Sequence, residues 1–465
     1  MAEKKKFYIE TFGCQMNVHD SEKAGYLLSS IGYEAGSSPE ESDLVILNTC
    51  SVREKAAQKV FARIRELNAR SKKSFGQRKI FGVMGCVAQA EAEQIFEKAP
   101  PVRIVLGPRS ISKLPELVDQ INKGFPRAID VRRDQDPDFL QLDPLHRNSP
   151  YLAYITIIEG CNKFCTYCIV PFTRGRERSR PAASVLAEAI SLAKAGYKEV
   201  HLLGQNVNSY RDELTYGRQN KPGEHFAALL RTVAIRSGLP RIKFTTSFPR
   251  DFCDAIVDVM DEFDNLCNWV HLPVQSGSNR ILKLMKRYYT VEEYLRKVER
   301  IKRSKRDIAL TGDIIVGFPG ESDEDFKQTL ALVKEVEYDG LYMFKYSPRP
   351  YTKAAMMPDD VSPEVKSERF AALEQVQTEV QKKRYQRYLG RTLEVLVEGR
   401  AAKGQGQLTG HSTCHRVVNF YGEESLIGSL IDVKITELHR NSLFGEMVSG
   451  RLRDTLRSSP AGASG

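Results

Sequence analysis

Three short apolar runs open the chain, at 6–13, 43–49 and 79–85, and each is followed by a stretch whose apolar residues recur at helical spacing, roughly 18–31, 52–69 and 88–98. Strand–helix alternation of this kind predicts a parallel sheet with helices on its faces, because parallel neighbours need a long crossover. Between 125 and 150 the pattern dissolves. Pro126, Pro137, Pro144 and Pro150 interrupt it and residues 131–138 are almost wholly polar, which predicts a linker or docking loop. Six further strand-length runs follow, at 151–158, 199–203, 241–246, 269–272, 308–316 and 340–344, with helical patterns over 182–195, 224–237, 251–263, 278–286, 291–304 and 322–336. Six β/α units predict an open, partial barrel with its working residues at the carboxyl ends of the strands. One more helical pattern, from Ser362 to about Tyr388, ends basic. Beyond Gly390 the period shortens to five strands near 392–398, 405–409, 416–420, 430–436 and 442–448, as in a small OB-like barrel. The expected class is α/β: a parallel α/β sheet domain over 1–124, a linker over 125–150, a partial (β/α)6 barrel over 151–388, a small β-barrel over 389–453 and a flexible tail over 454–465.

Composition changes this picture little. A chain of 465 residues accommodates three domains of ~150 residues, and 41% hydrophobic with 28% charged residues is ordinary for globular proteins. No apolar run approaches the ~18 residues of a membrane span. The start, Met-Ala-Glu-Lys-Lys-Lys, leads into a strand and not into a signal core, so a cytoplasmic protein is expected, with no membrane partner. A net charge of +10 favours a polyanionic partner through phosphate neutralisation. Nine cysteines, an odd number, favour metal or redox use over a disulfide framework.

The cysteines carry the chemistry. Cys161, Cys165 and Cys168 follow the first barrel strand as C-x₃-C-x₂-C. Three soft thiolates suit an iron–sulfur cubane with one iron left open. A zinc site with a remote fourth ligand and a set of buried thiols are the other readings. Cys14, Cys50 and Cys86 each end a strand of the N-terminal sheet, at equal intervals of 36 residues. The carboxyl ends of parallel strands lie along one edge, where ligands bind, so these three should meet there at helix starts that favour thiolate. A shared metal site is expected, against the alternative of three core thiols beside a nucleotide-type crevice. Cys253, Cys267 and Cys414 are isolated and read as core thiols. Polar residues recur at the barrel rim: Gly204, Gln205 and Asn206, Ser247, Gln275 and Ser276, and Asp313, which together predict a cofactor pocket. The run from Arg174 to Arg180 reads as a solvated loop or as a grip on phosphate or a cofactor carboxylate.

C-x₃-C-x₂-C after a strand, with Tyr167 before the last cysteine, resembles the radical S-adenosylmethionine (SAM) superfamily. The continuation Ile169-Val-Pro-Phe-Thr-Arg-Gly-Arg-Glu-Arg-Ser-Arg180 resembles the methylthiotransferases within it, closest to the tRNA-modifying, MiaB-type branch. The N-terminal layout, with Gly13-Cys-Gln-Met-Asn17 and Asp20-Ser-Glu22, is similar to that family's N-terminal domain, and residues 389–453 resemble its RNA-binding TRAM domain. The resemblance spans ~6–450. It implies two 4Fe–4S clusters, one on Cys161, Cys165 and Cys168 and one on Cys14, Cys50 and Cys86, with two SAM molecules used per turnover. The implied SAM contacts are Gly204, Gln205, Asn206, Gln275, Ser276 and Asp313, and the implied RNA contacts are Arg174, Arg176, Arg178 and Arg416. A SAM-derived radical would attack carbon 2 of N6-isopentenyladenosine at tRNA position 37, and the N-terminal cluster would deliver a methylthio group. The implied partners are tRNA and a flavodoxin- or ferredoxin-like electron donor, and the implied state is a monomer. Two departures stand out: Gly204-Gln205-Asn206 lacks the glutamate of the superfamily's Gly-Gly-Glu-like segment, and Gly410-His411-Ser412 stands where Gly-Arg-Thr is common. Other readings are a sister enzyme acting on a ribosomal-protein aspartate or on threonylcarbamoyl-adenosine, and a non-catalytic metal-containing RNA-binding module.

Overall fold

The computed structural model describes residues 4–51, 54–73, 79–132, 139–218 and 221–452. Its N-terminal sheet has six parallel strands, β1 (Lys6–Phe12), β2 (Glu34–Ala35), β3 (Leu44–Thr49), β4 (Ile80–Gly85), β5 (Val102–Leu106) and β6 (Ala128–Asp130), in the order β2-β1-β3-β4-β5-β6. All six residues of β3 are buried, as a central strand covered on both faces requires. The equal cysteine spacing becomes register: Phe12 pairs with Thr49 and Thr49 with Gly85, so the chain leaves the sheet at one level on three adjacent strands. Two features differ from the sequence reading. β5 follows Pro100-Pro101, where no strand was expected, and β6 lies inside the expected linker yet pairs with β5.

The middle of the chain supplies all six expected strands. β7 (Leu152–Thr156) is followed by the short β8 (Ile158–Glu159) and β9 (Arg178–Ser179), which pair antiparallel and bracket the cysteine loop. Then come β10 (Glu199–Leu203), β11 (Arg241–Phe244), β12 (Trp269–His271), β13 (Ala309–Val316) and β14 (Gly340–Lys345). They form parallel trios, β7-β10-β11 and β12-β13-β14. Leu266 stitches the trios together: Ile242 N donates to Asn265 O at 2.7 Å and Cys267 N donates to Ile242 O at 2.8 Å. β7 and β14 remain as edges, so the barrel is open.

The C-terminal strands β15 (Thr392–Arg400), β16 (Gln407–Ser412), β17 (Val417–Tyr421), β18 (Leu430–Leu438) and β19 (Leu443–Leu452) close into a barrel in the order β15-β16-β17-β19-β18. Its core is not private. Trp269 and Ala309 at the start of barrel strands, with Tyr385 and Tyr388, pack in one cluster with Val395, Val418 and Phe420. No helix among the described residues is long and apolar enough to cross a membrane.

The helix Gln15–Ser30 joins the N-terminal sheet to the open barrel. Its first turns bury Asn17, His19, Asp20, Ser21, Glu22 and Lys23. Charges taken out of water must be paired, and these are. Lys23 meets Glu159 at 3.6 Å, Arg174 meets Asp20 at 2.6 Å, and Arg147 meets Glu22 at 3.7 Å while also pairing with Glu188, which Arg180 holds from the other side. His19 is kept neutral by burial first and then by the surrounding cations, which push its pKa well below the usual value.

Candidate functional site

Cys14 caps the helix Gln15–Ser30 with extended backbone, and its N–H and thiol both face Asn17 Oδ1, at 3.3 and 3.4 Å. Asn17 Nδ2 donates to Asn48 Oδ1 at 3.1 Å, and Asn48 Nδ2 donates back to Asn17 O at 2.7 Å and to Ser21 Oγ at 2.9 Å. This amide ladder locks the ends of β1 and β3 together. Cys50 N donates to Phe12 O at 3.0 Å, and Cys86 opens the helix Cys86–Glu91. Gly85 turns the chain into it at φ +93°, where a β-carbon would lie 2.4 Å from Asn48 Oδ1. Cys50 and Cys86 are buried and Cys14 is exposed. The three converge. A hydrogen bond with Cys50, and next the Arg174 charge, hold the Cys14 thiol down at about 6. Burial pushes the Cys86 thiol up, with Arg174 pulling the other way.

The second triplet sits in a loop closed on itself. Cys161 N donates to Gly175 O at 3.1 Å, Glu177 N donates to Asn162 Oδ1 at 3.1 Å and Cys168 N donates to Cys165 O at 3.0 Å. Thr166 anchors the loop to the barrel, its N–H reaching Met285 O at 3.1 Å and its hydroxyl Leu284 O at 2.9 Å. Asn206 Nδ2 donates to Cys161 Sγ at 3.0 Å, and Arg287 Nη1 donates to Cys165 Sγ at 3.4 Å and to Tyr167 OH at 3.3 Å. Burial lifts the Cys161 thiol to about 11 and that of Cys168 further. Arg287 is a site residue that the sequence pattern does not reveal. It lies in Lys286-Arg-Tyr-Tyr289, with no periodicity or spacing linking it to the cysteines.

Among the described residues no group of three or more His, Cys, Asp or Glu side chains has closed metal-site geometry. The thiols turn instead onto neighbouring amides, Cys14 onto Asn17 and Cys161 onto Asn206. The donor chemistry nevertheless fits thiolate-held clusters. Each triplet offers three sulfurs beside a buried arginine. Buried polar atoms also lack partners at both places: Arg174 Nη1, Thr49 Oγ1 and Ser51 Oγ near the first triplet, and Thr156 Oγ1, Gln205 Oε1, Thr245 Oγ1 and Ser247 Oγ along the carboxyl ends of β7, β10 and β11. Orphaned groups of this kind ask for a polar ligand.

The remaining predicted residues divide. Asn206 and Gln205 stand at the rim as expected. Gly204 serves close packing, since a β-carbon there would lie 2.3 Å from Ile158 Cγ2. Gln275 holds β13 through main-chain bonds, its N–H to Asp313 O at 2.8 Å and its carbonyl from Ile315 N at 3.0 Å, at φ +80°. Asp313 faces His271 at 3.4 Å. Ser276 is buried in a turn, its hydroxyl accepting from Ser278 N at 3.2 Å. Two RNA contacts are corrected. Arg174 is buried in its pair with Asp20. Arg416 is buried too, donating to Asp339 O at 3.0 Å and Tyr385 OH at 2.8 Å. Neither can meet a phosphate from solvent. Arg176 and Arg178 are exposed.

Residues 155–333 match the radical SAM superfamily, 386–448 the TRAM domain and 6–107 the uncharacterized protein family UPF0004. A radical SAM methyltransferase, TsrM from Kitasatospora setae, shares the fold with a TM-score of 0.53 at 15% identity, over 76% of this chain and 77% of that one. The fold and the cysteine loop thus define a radical SAM enzyme. Proteins named tRNA-2-methylthio-N(6)-dimethylallyladenosine synthase match nearly end to end. The one from Solibacter usitatus is 49% identical, covering 95% of this chain and 98% of that protein. Those from Koribacter versatilis and Haemophilus influenzae are 46% and 44% identical, over 96% of this chain and 98% and 92% of theirs. The chain belongs to the family of tRNA-2-methylthio-N(6)-dimethylallyladenosine synthases.

Proposed function

We propose that this enzyme installs a methylthio group on carbon 2 of N6-isopentenyladenosine at position 37 of tRNA. The observation that carries the reading is the meeting of two cysteine triplets across one segment: Gly175 O accepts from Cys161 N while the neighbouring Arg174 side chain enters the N-terminal triplet. Cys161, Cys165 and Cys168 would hold one 4Fe–4S cluster, Cys14, Cys50 and Cys86 a second, and the orphaned polar groups at Thr156, Gln205, Thr245 and Ser247 would receive SAM, two molecules per turnover. When bound, these groups supply the electron-transfer, radical and sulfur chemistry that no side chain here can perform.

The chain's own residues orient and seclude. Asn206 and Arg287 donate to the thiols of Cys161 and Cys165 and fix where they point. Burial shields Cys50, Cys86, Cys161 and Cys165, four of the six thiols, from water. The net charge of +10 and the TRAM barrel supply the attraction to tRNA. A flavodoxin- or ferredoxin-like donor is the electron source in this reading, and the enzyme acts as a cytoplasmic monomer.

Nucleoside mass spectrometry of tRNA from a deletion strain tests this. The methylthio nucleoside should vanish and N6-isopentenyladenosine accumulate, with rescue by the wild-type gene but not by Cys50→Ser or Cys165→Ser. An unchanged methylthio level, with no paralogue present, would sink the substrate assignment. Anaerobically purified protein should carry iron sufficient for two clusters, and stoichiometric zinc without iron would end the enzymatic reading.

A further inference from the structure

Arg174, Gly175 and Arg176 form a stretch that touches both triplets. Gly175 O accepts from Cys161 N at 3.1 Å. From the helical turn that follows β5, Arg109 Nε donates to Arg174 O at 2.6 Å and Arg109 Nη2 to Arg176 O. The stretch is therefore held through its carbonyls on both sides, by Cys161 N and by the Arg109 guanidinium, independently of the Arg174 side chain's own pair. That side chain runs inward, 3% exposed, and spends one N–H on Asp20 Oδ2 at 2.6 Å. Its Nη1 is buried and makes no hydrogen bond of normal geometry, although the Cys86 thiol lies within its reach. A buried donor left unmade is costly, and a guanidinium presents its donors as a rigid fork. The fork therefore points to an acceptor lying among the thiols beside it.

Resting on the reading that Cys14, Cys50 and Cys86 hold a cluster, we propose that Arg174 is a positioning residue for that group: its unused N–H holds an anionic sulfur of the group, and its charge eases the group's reduction, from a point fixed to the loop of the other triplet. A fixed cation in a low-dielectric site favours the more reduced, more negative state of a neighbouring cluster, and hydrogen bonds to cluster sulfurs act the same way.

The test uses full-length protein with Cys161, Cys165 and Cys168 replaced by alanine, so that the N-terminal triplet alone can load iron. Bound iron and the midpoint potential, followed by electron paramagnetic resonance during redox titration, are compared for this parent, for Arg174→Lys and for Arg174→Gln. The expected result is a more negative midpoint in Arg174→Gln, or loss of its iron, with Arg174→Lys restoring iron and most of the potential. Equal iron and equal midpoints in all three overturn the proposal while leaving the cluster reading intact. Loss of iron in both variants alike marks a packing role and also overturns it. A parent without iron overturns the cluster reading itself, and the proposal with it.

Discussion

Asp325 caps the helix Asp323–Val336 through Ser322, and its carboxylate also accepts from Ser278 Oγ at 2.6 Å and pairs with Arg280. Burial alone would raise this carboxyl, but the hydrogen bonds from Arg280, Ser278 and Ser322 reverse that and hold it well below the usual range. An unfolded aspartate titrates near ~3.9. The folded value is lower, so the contribution to stability is complete above about pH 4 and is lost as pH falls through the depressed value. Asp325→Asn should therefore melt below wild type at neutral pH, with the gap starting to close below about pH 4, as thermal unfolding between pH 7 and about pH 2 would read. At this scale the six site cysteines are legible in sequence, because thiols spaced so regularly in one chain seldom serve packing alone. Arg174 and Arg416 are not, because arginines, in a run or alone, are ordinarily solvated, and nothing local in sequence reveals that Asp20 or Asp339 O awaits the side chain. Arg287 is invisible for the same reason, since its thiol partner is Cys165, far away in the chain.

The strands of the two larger units are readable from apolar runs, and the β-barrel from its short period. The shortfall lies partly in elements too brief to leave a pattern, β6 with three residues and β8 and β9 with two each, and partly in β5, five residues masked by the Pro100-Pro101 before it. Their existence depends on neighbours that pair with them. The junction between β-barrel and open barrel is equally hidden, because Trp269 and His415 belong to different units and meet only in the fold, at 4.8 Å between rings. Lys243 Nζ joins them, 2.5 Å from His415 Nδ1 and 4.5 Å from the Trp269 ring. Arg416 binds this junction and not RNA. Arg416→Met should thus cost about 2–3 kcal/mol in denaturant unfolding, the scale of a buried charged hydrogen bond and its stranded partners. The same variant should leave the salt dependence of tRNA binding unchanged. A slope reduced by about one unit would restore Arg416 to the RNA interface.

The whole molecule is held by a polar seam on the helix Gln15–Ser30, which a sequence pattern alone would place in solvent. Arg147 is central to it, its side chain wholly out of water between Glu22 and Glu188. Glu22 already has a carboxyl raised by burial despite Arg147. Removing the cation in Arg147→Met strands Glu22 and should cost about 3–5 kcal/mol. Hydrogen exchange should rise first along residues 15–30, and an unchanged melting temperature would contradict the seam's importance. The loop that bears the second triplet makes a different demand. Beside the Arg174–Asp20 pair, its ties to the N-terminal unit run from Arg109 to the carbonyls of Arg174 and Arg176, and Gly160 approaches so closely that a β-carbon would lie 2.1 Å from Arg176 O. Main-chain ties are blind to side-chain identity. A lineage can therefore rewrite the outward charge at 176, and with it what the loop meets, while Gly160 and Gly175 stay closed to change.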